Sequence, residues 1–420
     1  MRLMPPVPAT ALSLATLLAI PSALLLAFPR RVATGLERLL PVSALLQSFP
    51  AQPSQGPPTL WQQRLGPTNA ARLWAQQRRF WWQLWGAHGD AGAYLVFSAP
   101  ASQPLPANGL RIDDLIVVAP DPLARQLLQQ QLQARLRAPR GLDQRCTQSL
   151  RLQQAVHWGA GALGQMLGPL APLAQDVQQG CLQLSSSGQT LFWQGEADAV
   201  EGSLAPAPPP LAAPAPLPLA ASQWLELRGS SLDLLLNGLL GSSVLRESLA
   251  KGYGLGPETL RRFRPMPFQL RLQPLARGPF QARLELQLAV GNQRELAHRW
   301  LNDLSAALRD QGLTPVQPTV GLTGWQRDGS ELVGGWRWLP GPQLLLFLGP
   351  VPTSVPFSPP LGQASWRLRL RPVALAQAQL LPPALPPLIQ RAQQLQMVGR
   401  PVGSRSGERR NSLAGQLDLR

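Results

Sequence analysis

Hydrophobic and polar residues alternate with a period of two in two neighbouring segments of the C-terminal half. Residues 268–273 and 282–290 carry leucine, phenylalanine, alanine or valine at every second position, with glutamine, arginine or glutamate between many of them. A Pro/Gly-rich stretch, residues 274–279, separates the two segments. Strict alternation on both sides of a turn predicts an antiparallel hairpin with one apolar and one polar face.

The spacing changes to that of a helix after this hairpin. Apolar residues recur every three or four positions from Leu296 to Leu308, and Gly312 is a typical stop signal. The Asp328-Gly329 pair predicts a turn between strands at 322–327 and 331–339, and residues 343–348 predict another strand. The sequence therefore predicts an α+β fold with antiparallel sheets.

The N-terminal half contains similar elements. Residues 94–98 and 110–119 predict buried strands, and Asp121-Pro122 predicts the start of a helix that runs to Arg137. Residues 181–185 and 189–194 predict a hairpin across a Ser-Ser-Gly turn. Strands again alternate with helices.

Two pairs of segments suggest an internal repeat. Residues 225–228 and 368–371 both alternate leucine with charge and precede a leucine-rich helix. Residues 284–287 and 417–420 form a second such pair later in each unit. We interpret the shared order, strand, helix and then further strands, as a duplicated module.

A Pro/Ala run at residues 202–219 divides the chain, because proline fixes φ and removes a hydrogen-bond donor. The predicted organisation is an N-terminal anchor or signal at 1–30, a first α+β domain at 60–200, the linker at 202–219 and a second α+β domain at 221–420. A C-terminal half-module begins at about residue 363.

Residues 10–28 are apolar, uncharged and followed by Pro29, Arg30 and Arg31. A helix of about 19 residues matches the hydrocarbon core of a bilayer, so we expect a single-pass transmembrane helix. The expected location is the membrane, with the body periplasmic or thylakoid-lumenal. Because the arginines after the segment outnumber Arg2, the cytoplasmic side also stays open.

The two cysteines, Cys146 and Cys181, bear on that choice. In an exported body they would form one disulfide, whereas in a cytoplasmic body they would be small buried residues. The sequence alone leaves both alternatives open.

An aromatic cluster between Arg72 and Trp85 predicts an amphipathic helix. At about 100° per residue, one face would carry Trp74, Phe80, Trp81 and Trp85, with arginine and glutamine on the other. Such a face is typical of a helix in the headgroup region of a membrane. The alternative is that it covers the sheet of the first domain.

The net charge is +16, with 38 Lys+Arg against 22 Asp+Glu, which favours anionic partners without choosing among them. Arg367, Arg369 and Arg371 alternate with apolar residues and would form a guanidinium row on one strand face, joined by Arg271 and Arg283. This row is a candidate anion site, or else a solvated row that protects a sheet edge. The face lacks interleaved aromatic residues, which disfavours nucleic acid.

No local pattern reaches the standard of a catalytic, metal or cofactor motif. Residues 159–164 match the glycine pattern of a dinucleotide site, but Pro169 shortens the following helix and Asp176 arrives too early for the ribose. The three histidines have no metal-ligand spacing. We predict no cofactor and no metal, and we lean against an enzyme.

The anchor, the Gly334-Gly335-Trp336-Arg337-Trp338 hairpin and the strand–helix repeat together resemble an uncharacterised cyanobacterial family of membrane-anchored proteins with repeated α+β modules. The resemblance implies a fold and no activity.

The leading hypothesis is a membrane-tethered, non-catalytic protein that acts through contacts with an acidic protein or anionic lipid. The alternatives are a carrier of an apolar small molecule between the modules and an unrecognised enzyme. The sequence does not indicate the oligomeric state.

Overall fold

A computed structural model describes residues 31–86, 92–133, 138–167, 175–199, 206–214, 218–239, 243–276, 280–327, 329, 331–352, 357, 361–381, 387–403 and 409–419. The fold is α+β and is built on one large antiparallel sheet. The predicted membrane segment, residues 10–28, lies outside the described residues. In the part of the chain that is described, no helix is both long and apolar enough to cross a bilayer.

Eight strands form the N-terminal half of the sheet. They are β1 (Ser43–Pro50), β2 (Phe80–Gly86), β3 (Tyr94–Ser98), β4 (Gly109–Ile112), β5 (Leu115–Val118), β6 (Ala155–Trp158), β7 (Gln179–Ser187) and β8 (Thr190–Asp198). Their order across the sheet is β4-β5-β3-β2-β1-β6-β7-β8.

Ten strands form the C-terminal half. They are β9 (Leu225–Gly229), β10 (Phe268–Pro274), β11 (Ala282–Ala289), β12 (Leu313–Val316), β13 (Leu322–Arg327), β14 (Leu332–Leu339), β15 (Gln343–Leu348), β16 (Trp366–Leu370), β17 (Gln394–Gly403) and β18 (Arg409–Asp418). Their order is β18-β17-β16-β9-β10-β11-β15-β14-β13-β12.

The two halves meet where β8 pairs with β18, from Thr190 opposite Asp418 to Asp198 opposite Arg410. This junction, which we call the seam, makes the sheet continuous across the Pro/Ala segment. Every pairing in the sheet is antiparallel.

The helices connect the strands. They are α1 (Leu36–Leu39), α2 (Thr59–Leu65), α3 (Pro67–Trp74), α4 (Pro122–Gln131), α5 (Gly141–Leu152), α6 (Ala162–Leu167), α7 (Asp233–Leu239), α8 (Ser243–Tyr253), α9 (Pro257–Phe263), α10 (Arg294–Asp310), α11 (Pro372–Gln377) and α12 (Pro387–Arg391).

The same order of elements, one strand, one or more helices and a hairpin, occurs four times. The four sets begin at β1, β6, β9 and β16. Within each half the two first strands pair with each other, β1 with β6 and β9 with β16. The predicted sequence duplication is compatible with this order and stays a prediction.

In the part of the chain that the structure describes, helices cover both faces of the N-terminal half but one face of the C-terminal half. In the first half, α1, α4 and α5 pack on one face, and α2 and α3 pack on the other. In the second half, α7, α9 and α10 pack with Trp325, Trp336 and Leu344 on a single face. The strands of the second half therefore carry an opposite face with a different composition.

Most of the predicted strands are confirmed. The hairpin at 268–290 is β10–β11, the three later strands are β13, β14 and β15, and the helix before Gly312 is α10. Asp121 caps α4 as predicted, its side chain accepting a hydrogen bond from the backbone N–H of Ala124 at 2.9 Å. In the first half, β3 and the β7–β8 hairpin also occur where they were predicted.

Two predictions in the first half are wrong. The helix predicted over residues 72–85 ends at Trp74, and Phe80–Gly86 is strand β2. Both faces of β2 are covered by helices, so its aromatic residues show no period of two. The strand predicted at 110–119 is the β4–β5 hairpin, which turns at Asp113 with a φ of 53°.

The described part of the Pro/Ala segment, residues 206–214, 218 and 219, has no helix or strand, as predicted. It is not a free spacer, because it packs on the seam. Leu211 is buried against Val398 and Ala414, and Ser412 and Gln194 donate hydrogen bonds to the carbonyls of Pro209 and Leu211. We call residues 206–214 the strap.

Candidate functional site

Among the described residues, the face of the C-terminal half opposite α7, α9 and α10 carries all the charged side chains of five strands. Residues directly opposite each other in a ladder share a face. The registers of β16, β9, β10, β11, β15 and β14 therefore place eight charged residues together. We call this set the arginine face: Arg228, Arg271, Arg283, Arg337, Arg367, Arg369, Glu226 and Glu285.

Ion pairs run across four strands in the floor of the arginine face. Arg369 contacts Glu226 at 2.6 Å, and Arg283 contacts Glu285 at 2.9 Å. Arg271 lies between the two glutamates, at 3.8 Å from Glu226 and 3.9 Å from Glu285. Each glutamate is therefore shared by two arginines. Glu226, Arg271 and Glu285 are all buried.

The arginines of this face outnumber the glutamates by six to two. Arg337 and Arg367 are half-buried, and the Nε atom of each is buried with no hydrogen-bond partner in the described part of the chain. Arg367 lies directly opposite Arg228, so two guanidiniums are neighbours across the strands. Like charges at this position destabilise a sheet unless an anion lies between them.

Several guanidiniums of the arginine face are partly removed from water, and this lowers their pKa. Burial lowers the pKa of Arg271, and Glu226 and Glu285 oppose that shift. Burial also lowers the pKa of Arg228 and Arg367, and neighbouring arginines lower the pKa of both further. Arginine stays protonated at neutral pH. The lowered pKa values therefore reflect the free-energy cost of holding these positive charges away from water, and a bound carboxylate or phosphate would reduce that cost.

The three arginines predicted as an anion site do not act together. Arg367 and Arg369 lie on the arginine face, but Arg371 lies beyond β16 and donates to the backbone carbonyls of Leu219 and Ala221. The edge-protection interpretation is wrong, because β16 is paired with β9 on one side and β17 on the other.

Arg271 and Arg283 join the face, as their alternation suggested. The sequence interpretation missed Arg228, Arg337, Glu226 and Glu285. Their own alternation with apolar residues was the available signal, but only the strand order places them beside Arg367.

A disulfide joins Cys146 of α5 to Cys181 of β7, with an S–S distance of 2.08 Å. His157 lies opposite Cys181 in the ladder and is fully buried. Its Nδ1 is 3.5 Å from the hydroxyl of Ser43. Burial lowers the pKa of His157 to about 4, so this imidazole is neutral at physiological pH.

The four aromatic residues proposed for a membrane interface do not share one exposed face. Trp74 and Trp81 are buried and pack edge-on against Trp61. Phe80 and Trp85 are half-buried on β2. The alternative interpretation, that the aromatic cluster covers the first sheet, matches the burial of Trp74 and Trp81.

Two shallow depressions lie elsewhere on the surface. One of about 190 Å³ is bordered by Arg79, Asp114 and Arg151 beside Phe80 and Trp82. The other, of about 360 Å³, is lined by Trp224 and Leu275 with residues of α11. Within the described ranges, no group of three histidine, cysteine, aspartate or glutamate side chains could hold a metal ion.

The chain matches no family model, no curated protein and no solved structure.

Proposed function

We propose that this chain is a membrane-tethered, non-catalytic binding protein whose arginine face recognises an acidic protein partner. Residues 10–28 would be the anchor, and the C-terminal half of the body would contain a duplicated module that repeats from about residue 363. The observation that carries the proposal is the ratio of six arginines to two glutamates on the sheet face opposite helices α7, α9 and α10.

Half-buried guanidiniums suit this role. Arg283, Arg337, Arg367 and Arg369 keep part of their side chains accessible, whereas the buried ion pairs beneath them restrict their positions. Guanidiniums bind carboxylates with two parallel hydrogen bonds, and fixed donors lose little entropy on binding. An extended acidic segment could follow the row of strands, each about 4.8 Å from the next.

The disulfide supports an exported body. Disulfides persist in oxidising compartments and are rare in the cytosol. The bond between Cys146 and Cys181 therefore favours the periplasmic or thylakoid-lumenal side over the cytoplasmic one.

Peptide binding tests the proposal. The full-length chain is placed in nanodiscs of neutral lipid, and a fluorescent glutamate-rich peptide is titrated by anisotropy. We expect binding that weakens with salt and that falls about tenfold in the double variant Arg337→Gln/Arg367→Gln, a loss of about 1.4 kcal/mol. The two substitutions remove two half-buried guanidiniums whose Nε atoms have no hydrogen-bond partner among the described residues.

The matched control is Arg299→Gln/Arg309→Gln. It removes the same charge from exposed positions of α10, on the helix-covered side of the sheet. The control should bind the peptide like the unmodified chain. Equal losses in both double variants would mean that net charge alone attracts the peptide, and an absence of binding at low salt would reject the proposal.

A further inference from the structure

Arg31, the first described residue, lies close in sequence to the proposed anchor. Arg31 follows Phe28 by three residues, which span at most about 11 Å. The backbone N–H of Ala138 donates to the carbonyl of Arg31 at 3.0 Å. Arg38 donates to the carbonyl of Leu132, just after α4, at 2.7 Å. The C-terminal end of α4 and residue 138 therefore lie beside residues 31–38, which would be the exit from the membrane if residues 10–28 are the anchor.

Helix α4 has an exposed apolar pair. Ala124 and Leu128 face the core, whereas Leu123 is 65% exposed and Leu127 is 38% exposed. Residues four apart lie on the same side of a helix, so the two leucines form one continuous apolar strip. Val32, next to the exit, is 58% exposed as well.

Arginines flank this strip, and the exposed Asp121 caps α4 at its N-terminal end. Residues 122–142 contain no aspartate or glutamate, and Arg125 and Arg140 are both exposed. Arg31 is paired with Glu37 at 2.9 Å, so the excess charge comes from Arg38, Arg125 and Arg140. Exposed leucines flanked by arginines are typical of helices that lie in the interface of an anionic membrane.

We propose that α4 rests on the anionic headgroups of the same bilayer that holds the anchor, with Leu123 and Leu127 inserted at the interface. The inference rests on the proposed membrane tether. The short distance from Phe28 to Arg31 favours lipid over a protein partner, because it keeps the exit region within reach of the headgroups. The bilayer contact would orient the whole sheet relative to the membrane surface.

Fluorescence quenching in vesicles tests this contact. Leu127→Cys in the full-length chain is labelled with an environment-sensitive dye under non-reducing conditions, which leaves the native disulfide intact. The labelled chain is reconstituted into vesicles of phosphatidylcholine with phosphatidylglycerol that carry headgroup spin labels. We expect at least about threefold more quenching at residue 127 than at the control Val320→Cys, a fully exposed position between β12 and β13.

The charge requirement is tested in the same assay. Quenching at residue 127 should fall in vesicles of phosphatidylcholine alone, and in Arg125→Gln/Arg140→Gln with phosphatidylglycerol present. Equal quenching at residues 127 and 320 would overturn the inference while leaving the tether in place. A full-length chain that does not float with the vesicles at all would instead reject the tether, and the inference with it.

Discussion

At the residue scale, His157 is the group whose protonation most clearly opposes folding. It lies between Leu46 and Cys181 in the ladder, and burial lowers its pKa from 6.5 to about 4. The unfolded chain binds the proton at a higher pH than the folded chain does. Stability from the neutral imidazole is therefore present above about pH 6.5 and is lost as the pH falls toward 4.

We predict that this loss amounts to about 1.4 kcal/mol per pH unit across that window, or roughly 3 kcal/mol in total. The measurement is urea unfolding of the full chain in detergent at several pH values. His157→Gln cannot titrate and should show a shallower pH dependence than the unmodified chain. If the free energy of unfolding depends on pH equally in the two proteins, burial does not lower the pKa of His157 as we infer.

At the element scale, the disulfide ties α5 to β7 across 35 residues of sequence. Closing a loop of that length restricts the unfolded chain, and its removal should cost about 4 kcal/mol. We predict this loss for Cys146→Ala/Cys181→Ala, measured as the free energy of unfolding in urea. A reductant should bring the unmodified chain close to the variant and leave the variant unchanged. A difference below about 1 kcal/mol would argue against the bond.

Elements were predictable where one face of a strand or helix is polar. The alternation in β10 and β11 and the spacing in α10 identify them correctly, because each packs apolar residues on one side only. In β2, Trp81 packs with α2 and α3 while Trp82 packs with α1 and α5. A strand that is apolar on both faces has no period of two, and the seven-residue spacing from Trp74 to Trp81 imitated a helix.

The arginine face was only partly predictable for a different reason. Arg367 and Arg369 show their alternation locally, but the pairing of β9 with β16 joins residues about 140 positions apart in the sequence. Strand order over such distances depends on the packing of the whole chain. No local pattern could have placed Arg228 beside Arg367.

At the scale of the whole molecule, the seam joins the two halves through backbone pairing in addition to the covalent linker. Nine residue pairs connect β8 to β18, and the strap adds hydrogen bonds from Ser412 and Gln194. We predict that a protease site inserted between residues 203 and 204 can be cut without separating the halves. The two fragments should co-elute in detergent by size-exclusion chromatography.

Gly415→Val is the matched variant for the seam. A Cβ at Gly415 would lie 2.4 Å from the ring of Trp193 on β8 and 2.5 Å from the backbone carbonyl of Gln396. The cut chain that carries Gly415→Val should therefore separate into its two halves. The control substitution is Val320→Ala, which changes an exposed position. Gly188→Val would be a poor control, because the backbone φ of +60° at Gly188 is unfavourable for valine. Separation of the cut chain without the seam substitution would show that the halves depend on the linker.

The two ends of this long sheet determine how readily copies of the protein can pair edge to edge. Within the described residues, the outermost strands are β4 and β12, each four residues long, and β12 contains Pro315. Proline offers no N–H, and so short a strand gives an incoming backbone few places to bond. Copies of the protein at high concentration are thus protected from pairing edge to edge into fibres, although each contributes a continuous sheet of eighteen described strands.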